Sequence, residues 1–233
     1  MDQSSITGKK HFECVRSKMR TACELDETEK SYAIALSRLV AKNGSFPTTG
    51  IAKLLNHLYL GSNNDARGKS NLRRLGITHI LNTIDGTRQT TTSKDFYRNE
   101  FEYFGFSSMD TFAYPIMDHF DEAFKFIEAA RISGGRCLIH CRSGINRSGA
   151  LAVGYVMMHN DIGPISATRL VLSQRGIVLN NNGFVQRVVK FASERNMLEK
   201  DKDEVTSVTS LPVSEETAAM GTTLVSGDII FDE

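Results

Sequence analysis

The chain has 233 residues, 40% of them hydrophobic and 24% charged, with a formal net charge of +1 at pH 7. That fits one soluble domain with appendages, long enough to bury a core without disulfides. Residues 199–233 carry nine acidic and two basic groups, leaving the first 198 residues at a net of +8. Such a body suits an anionic ligand, but its basic groups are scattered rather than interleaved with aromatics, which argues against a nucleic-acid surface.

The N-terminus, "MDQSSITGKK", has no apolar h-region and no Gly at position 2, so neither a secretory signal nor the usual myristoylation pattern is expected. The cysteines at 14, 23, 137 and 141 then read as reduced thiols and lack zinc-cluster spacing. A cytoplasmic location follows as an expectation. The basic cluster Lys9, Lys10, Arg16, Lys18 and Arg20 offers nuclear entry or docking of an acidic partner as a lesser alternative to a solvated segment.

A helical period runs from Glu27 to Lys42, with Ala33, Ile34, Leu36, Leu39 and Val40 apolar. "NGSFPTTG", 43–50, is a break made of turn residues. "HLYLGS" predicts a strand ended by Gly61. "NNDARGKSNLRRLG" predicts one helix, started by Asn63, Asn64 or Asp65 and stopped at Gly76. "ITHILNTI" predicts a strand buried on both faces. A polar loop around Thr87–Ser93 leads to a third strand, "FEYFGFS". Pro115 opens a helix to about Ile132, with Ile116, Phe120, Ala123, Phe124 and Ile127 on one stripe. "RCLIH" is the fourth strand, and helices follow at about Arg147–Asn160, Ile165–Gln174 and Gly183–Asn196. Strands alternating with helices imply a layered α/β domain with a substantially parallel sheet. The longest apolar run, Ala150 to Met158, is too short to cross a bilayer. From Asp201 no period is sustained, and disorder is expected.

"HCRSGINRSG", His140–Gly149, sits between the fourth strand and a helix. A strand entering a glycine-bearing loop and then a helix turns its amides on one point, an anion site by geometry. That point falls among the amides of Arg142, Ser143, Gly144, Ile145, Asn146 and Arg147. A thiol in the same positive field is stabilised as thiolate. An ordinary cysteine is only about 3% ionised at pH 7, and a ~3-unit drop in pKa needs about 4 kcal/mol, a reasonable sum for amides, a helix end and a guanidinium. Arg147 can hold a phosphoryl group by two prongs. Cys141 then attacks phosphorus, and the Ser148 hydroxyl stabilises the sulfur when water releases the phosphate. His140 reads as a holder of the cysteine's geometry, and the Arg142 side chain as a rim group that touches substrate or only solvent.

The segment resembles the signature of the cysteine-dependent protein phosphatases, His-Cys-x5-Arg-Ser/Thr. "LYLGSNNDARGKSNLRRLGITHILN", "AYPIMDHFDEAFKFIEAA" and "RGIVLNNNGFVQRV" resemble their dual-specificity branch, over roughly Ile51 to Leu198. The resemblance implies a mixed sheet of about five strands flanked by helices. It also implies hydrolysis of phosphotyrosine and phosphoserine or phosphothreonine on protein substrates, kinases being candidates among them, without metal or cofactor. About fifty preceding residues are too few for a kinase-docking domain, which points to the small atypical group. The expected organisation is an extension at 1–50, a catalytic domain at 51–198 and an acidic tail at 199–233. Departures from the family pattern are Asn146 for a small residue or Ser, Gly149 for Ala or Pro, and Asn180 and Arg187 for the Pro and Gln of the closing motif.

The leaving oxygen needs a proton, and Asp110, Asp118, Asp121 and Glu122 are the upstream acids. The last three fall at a helix start, where acids favour the dipole and face water. Asp110 lies in a segment free to fold over the loop, and its spacing from Cys141 fits the acid that the resemblance implies. The other readings are a phosphatase of lipid, carbohydrate or RNA phosphates and a phosphate-binding pseudoenzyme. Lipid-directed members tend to carry loop lysines, absent here between Cys141 and Arg147, and pseudoenzymes usually lack the cysteine. His57, His79, His119 and His159 read as structural or solvated.

Overall fold

The computed structural model describes residues 23–43 and 50–202. The basic cluster near the N-terminus, Cys14, most of the 43–50 break and the tail beyond Lys202 lie outside those residues. The chain order is α1 (Glu27–Asn43), β1 (Ala52–Lys53), β2 (Leu58–Ser62), α2 (Asn63–Arg67), α3 (Lys69–Arg74), β3 (His79–Asn82), α4 (Lys94–Tyr97) and β4 (Glu102–Gly105). A 3₁₀ turn (Ile116–His119) then leads into α5 (Phe120–Ile132), β5 (Cys137–Cys141), α6 (Arg147–Asn160), α7 (Pro164–Arg175), α8 (Asn182–Ser193) and a last 3₁₀ turn, Leu198–Asp201.

The sheet order is β1-β2-β5-β3-β4, parallel except for the two-residue edge strand β1. β5 lies at its centre, and its alternating side chains feed two cores. Cys137 and Ile139 join Leu58, Leu60 and Leu81 on the face covered by α1 and α5–α8. Leu138 joins Tyr59, Ile80, Leu72 and Tyr97 on the other. Period-two alternation with both faces covered is what a buried parallel strand requires.

Several expectations need correction. The single helix predicted after β2 is two, broken at Gly68, and its cap is Ser62. Ser62 ends β2 in an extended conformation. Its hydroxyl accepts from the Asp65 amide while the Asp65 carboxylate accepts from the Ser62 amide at 2.8 Å, a capping box one residue earlier than expected. The second predicted strand, "ITHILNTI", stops at Asn82, because the Asn82 side-chain amide turns inward to the Thr92 carbonyl at 2.9 Å and the Tyr103 hydroxyl at 3.0 Å. The polar loop contains an unforeseen helix, α4, capped by the Ser93 hydroxyl and anchored by Tyr97, whose hydroxyl donates to the Ala66 carbonyl at 2.8 Å. Pro115 precedes a 3₁₀ turn, and the α-helix begins at Phe120. In α1 the buried stripe is Tyr32, Ala33, Leu36, Leu39 and Val40, while Ile34 points to solvent at 52% exposure.

Two described segments of the expected appendages, α1 and Leu198–Asp201, pack on the domain. α1 lies on α8 and α7, and Glu29 accepts from Lys190 at 3.0 Å. The Tyr32 hydroxyl donates to the Leu198 carbonyl at 2.6 Å. Asp201, placed at the start of the tail by sequence, is buried instead. Its carboxylate accepts from the Ile165 amide at 2.6 Å and the Ser166 hydroxyl at 2.5 Å. It caps α7 from 36 residues away, where the local cap position, Gly163, has no side chain to do so.

Candidate active site

The site forms where β5 leaves the sheet. Cys141 is the last residue of β5 and Arg147 the first of α6, so 142–146 form a tight return at the carboxyl end of the central strand. Ligands of open α/β sheets gather at that end. Gly144 sits at φ +68, and a Cβ there would strike the Gly61 backbone and the Arg175 guanidinium. Only glycine meets both conditions.

The loop's amides point inward because its carbonyls are pulled outward. Arg175 is buried, donating from Nη2 to the Ser143 carbonyl at 2.9 Å and from Nε to the Gly144 carbonyl at 3.2 Å. In a planar trans peptide, C=O and the following N–H oppose each other. Fixing these two carbonyls therefore turns the Gly144 and Ile145 amides the other way, toward Cys141. The Gly144 amide reaches the Cys141 Sγ at 3.2 Å and the Ser148 hydroxyl reaches it at 3.1 Å. Burial by itself raises the Cys141 pKa. The Ser148 hydroxyl and amide, the Arg147 charge and the Ile145 amide outweigh that and leave it below the ordinary thiol value. Cys137, equally buried but without these donors, is pushed up, and burial also raises Cys23.

Arg147 is 4% exposed and donates from Nη1 to the Ser108 carbonyl at 3.2 Å. Its Nε has no hydrogen-bond acceptor among the described residues. The nearest carboxylate oxygen, Asp110 Oδ2, stands 3.8 Å away, an ion-pair distance beyond hydrogen bonding. A buried guanidinium thus keeps an unused donor, an arrangement an arriving anion would complete.

Asp110 reaches the loop on the segment after β4. Asn146 Nδ2 donates to both of its oxygens at 3.2 Å, and Asn181 Nδ2 donates to Oδ1 at 2.9 Å. The Asn181 amide in turn donates to Asn146 Oδ1 at 3.2 Å, and Arg187 fixes the same segment through the Ala113 carbonyl at 2.7 Å. Two departures from the family pattern, Asn146 and Arg187, thereby hold the acid-bearing segment. A third, Gly149, has its reason in packing, since a Cβ there would run into Val178. Asn180 is exposed, and nothing in the structure explains it. The competing acids lie elsewhere: Asp118 is exposed on the 3₁₀ turn, Asp121 pairs with Arg195 at 3.4 Å, and Glu122 is exposed on α5.

His140 is fully buried, and burial lowers its pKa to about 4 against a smaller opposing pull from the Cys141 backbone. Neither ring nitrogen has a hydrogen-bond partner among the described residues. The expected hydrogen bonding by its ring is not what the structure displays: its carbonyl carries the contacts, accepting from the Thr83 amide at 3.0 Å and hydroxyl at 3.1 Å. Arg142 and Ser143 are exposed at the rim, and the Arg142 carbonyl accepts from the Asn63 amide at 3.1 Å. Arg175 and Asn181 were not singled out by sequence. Both lie in the closing segment "RGIVLNNNGFVQRV", Arg175 as its first residue, but neither residue type announces which loop it will hold.

Residues 58–194 match the family described as dual specificity phosphatase, catalytic domain. The chain is 30% identical over 175 residues to dual specificity protein phosphatase 22-A of Danio rerio, covering 70% of this chain and 81% of that protein. It is 34% identical over 142 residues to dual specificity protein phosphatase 15 of Mus musculus, covering 61% of this chain and 57% of that protein. The crystal structure of DUSP15 superposes with a TM-score of 0.57 at 30% identity, over 69% of this chain and 97% of that one.

Proposed function

The chain belongs to the dual specificity phosphatase family, and we propose that it hydrolyses phosphotyrosine and phosphoserine or phosphothreonine on protein substrates through a phosphocysteine. One observation carries the reading: a cysteine sulfur held by the Gly144 amide and Ser148 hydroxyl, beside a buried arginine with a donor to spare. In the first step the Cys141 thiolate attacks phosphorus. The S–P bond forms as the P–O bond to the substrate breaks, and Asp110 gives its proton to the departing oxygen. Arg147 and the inward amides stabilise the charge on the three equatorial oxygens. In the second step Asp110, now a carboxylate, takes a proton from water as that water attacks phosphorus. The S–P bond breaks, inorganic phosphate leaves, and the Ser148 hydroxyl meets the returning thiolate. Asn146, Asn181 and Arg187 position Asp110, and Arg175 positions the amides.

The test is a panel of phosphotyrosine and phosphothreonine peptides against phosphoinositides and p-nitrophenyl phosphate, with the wild type and Cys141→Ser. Turnover of both peptide classes by the wild type alone is expected. Exclusive turnover of phosphoinositides would move the substrate to the lipid class, and equal turnover by Cys141→Ser would remove the covalent mechanism.

A further inference from the structure

His57, Glu128 and His159 meet at the end of the sheet remote from the thiolate. His57 precedes β2, Glu128 lies on α5 and His159 in the last turn of α6. Leu58 pairs with Cys137 and Ser62 with Cys141, so four residues of strand, roughly 13 Å at ~3.3 Å each, separate this cluster from the phosphate loop. One nitrogen from each histidine and one Glu128 oxygen lie within 4.8 Å of one another. The His57 and His159 ring centroids are 4.9 Å apart, and His159 Nδ1 is 3.8 Å from Glu128 Oε1. The Tyr155 hydroxyl links the group, 2.7 Å from His57 Nε2 and 2.5 Å from Glu128 Oε1.

We propose that this cluster binds a divalent transition ion, with zinc the best match. Two imidazoles and one carboxylate on three separate elements are the donor set of a four-coordinate zinc site that leaves one position for water. Zinc bonds of about 2.0–2.1 Å place tetrahedral ligand atoms roughly 3.3 Å apart. The Glu128–His159 pair is already near that spacing, and rotation of the half-buried His57 and the exposed His159 closes the rest.

The surroundings fit the same use. Arg131 grips Glu128 chiefly on Oε2, at 2.7 and 2.9 Å, with one longer bond of 3.1 Å to Oε1. The carboxylate is thereby oriented from behind, as metal-ligating carboxylates are. His57 is half-buried beside its two partners, and it would coordinate as the neutral imidazole, the form that metal binding requires. On binding, His57 coordinates through Nε2, and its one ring proton is carried on Nδ1, the tautomer being exchanged through solvent. The Tyr155 hydroxyl, now bonded to His57 and Glu128, gives up these two partners. The ion ties β2 and α5 to α6, the helix that begins at Arg147, and takes no part in phosphoryl transfer.

The experiment uses the full chain carrying Cys141→Ser, which removes the thiolate as a rival ligand. Cobalt(II) is titrated as a spectroscopic probe and zinc(II) is followed by thermal melting. Four-coordinate cobalt bands in the visible and a zinc-dependent rise in Tm are expected. His159→Ala, a change at an exposed position, and Glu128→Gln, which keeps the side-chain shape, should each weaken cobalt binding at least tenfold and abolish the zinc-dependent rise. In the otherwise wild-type chain, His159→Ala should leave turnover of p-nitrophenyl phosphate unchanged. Absence of cobalt bands in the parent, or bands and melting shifts that survive in both variants, would overturn the site.

Discussion

At Cys141 and Cys137 the same residue type sits four positions apart on one strand, fully buried in both cases, and the pKa moves in opposite directions. The difference is the set of donors at Cys141, and a reactivity test can read it. Iodoacetate at pH 6 should carboxymethylate Cys141 well ahead of Cys23, and inorganic phosphate should protect it; equal labelling of both would show that no thiolate is pre-formed. His140 gives a second test. Its folded-state pKa of about 4 lies below the unfolded value of ~6.5, so on acidification the unfolded chain takes up this proton first. The contribution to stability is complete above about pH 6.5 and is lost as pH falls toward 4. The His140 ring resonances should therefore stay at their neutral position down to pH 5 in NMR spectra, and a midpoint near 6.5 would contradict the burial argument. Asp110 gives a third. Asp110→Asn should lower kcat on phosphopeptides by ~10²–10⁴, with a smaller loss for a leaving group of low pKa. Asp118→Asn should change neither, and the reverse pattern would mean the acid is misassigned.

Elements with strong periodicity or strong punctuation were legible in sequence. α6 begins and ends at the expected residues, because the phosphate loop fixes its start and its apolar run fixes its length. Elements set by one side chain were not. Ser62, Ser93 and Asn82 stop or start structure through side-chain hydrogen bonds that compete with local propensity and leave no pattern. The long-range cap of α7 by Asp201 is the extreme case, since nothing near Gly163 announces it. A chain ending at Lys202 should keep the wild-type melting temperature, whereas one ending at Lys200 loses the cap. Caps contribute about 0.5–2 kcal/mol, several degrees for a domain of this size, read by thermal melting. Equal melting of the two chains would show that Asp201 carries no load.

Over the whole molecule, the parallel order and the loop at the carboxyl end of the central strand followed from alternating strands and helices and from one ten-residue segment. β1 leaves no trace in the sequence because two residues give no period, and α1 reads as an extension because amphipathicity does not say which surface a helix covers. Tertiary contacts decide that, and here they make α1 part of the main core. The site shows the same division. Its reacting groups lie in one contiguous motif plus Asp110. The groups that aim them, Asn146 and Asn181 just ahead of α6 and α8, Arg175 at the end of α7 and Arg187 on α8, meet only in the fold. The central claim is that these parts transfer phosphoryl to Cys141, and the covalent intermediate tests it most directly. Ser148→Ala removes the hydroxyl at the sulfur, so release of the thiolate should slow more than its phosphorylation, and the intermediate should accumulate. Acid quench of Ser148→Ala during turnover of p-nitrophenyl phosphate, followed by peptide mass analysis, should find one phosphoryl group on the peptide containing Cys141. Continued turnover with no phosphoryl on that peptide at any quench time would contradict the account.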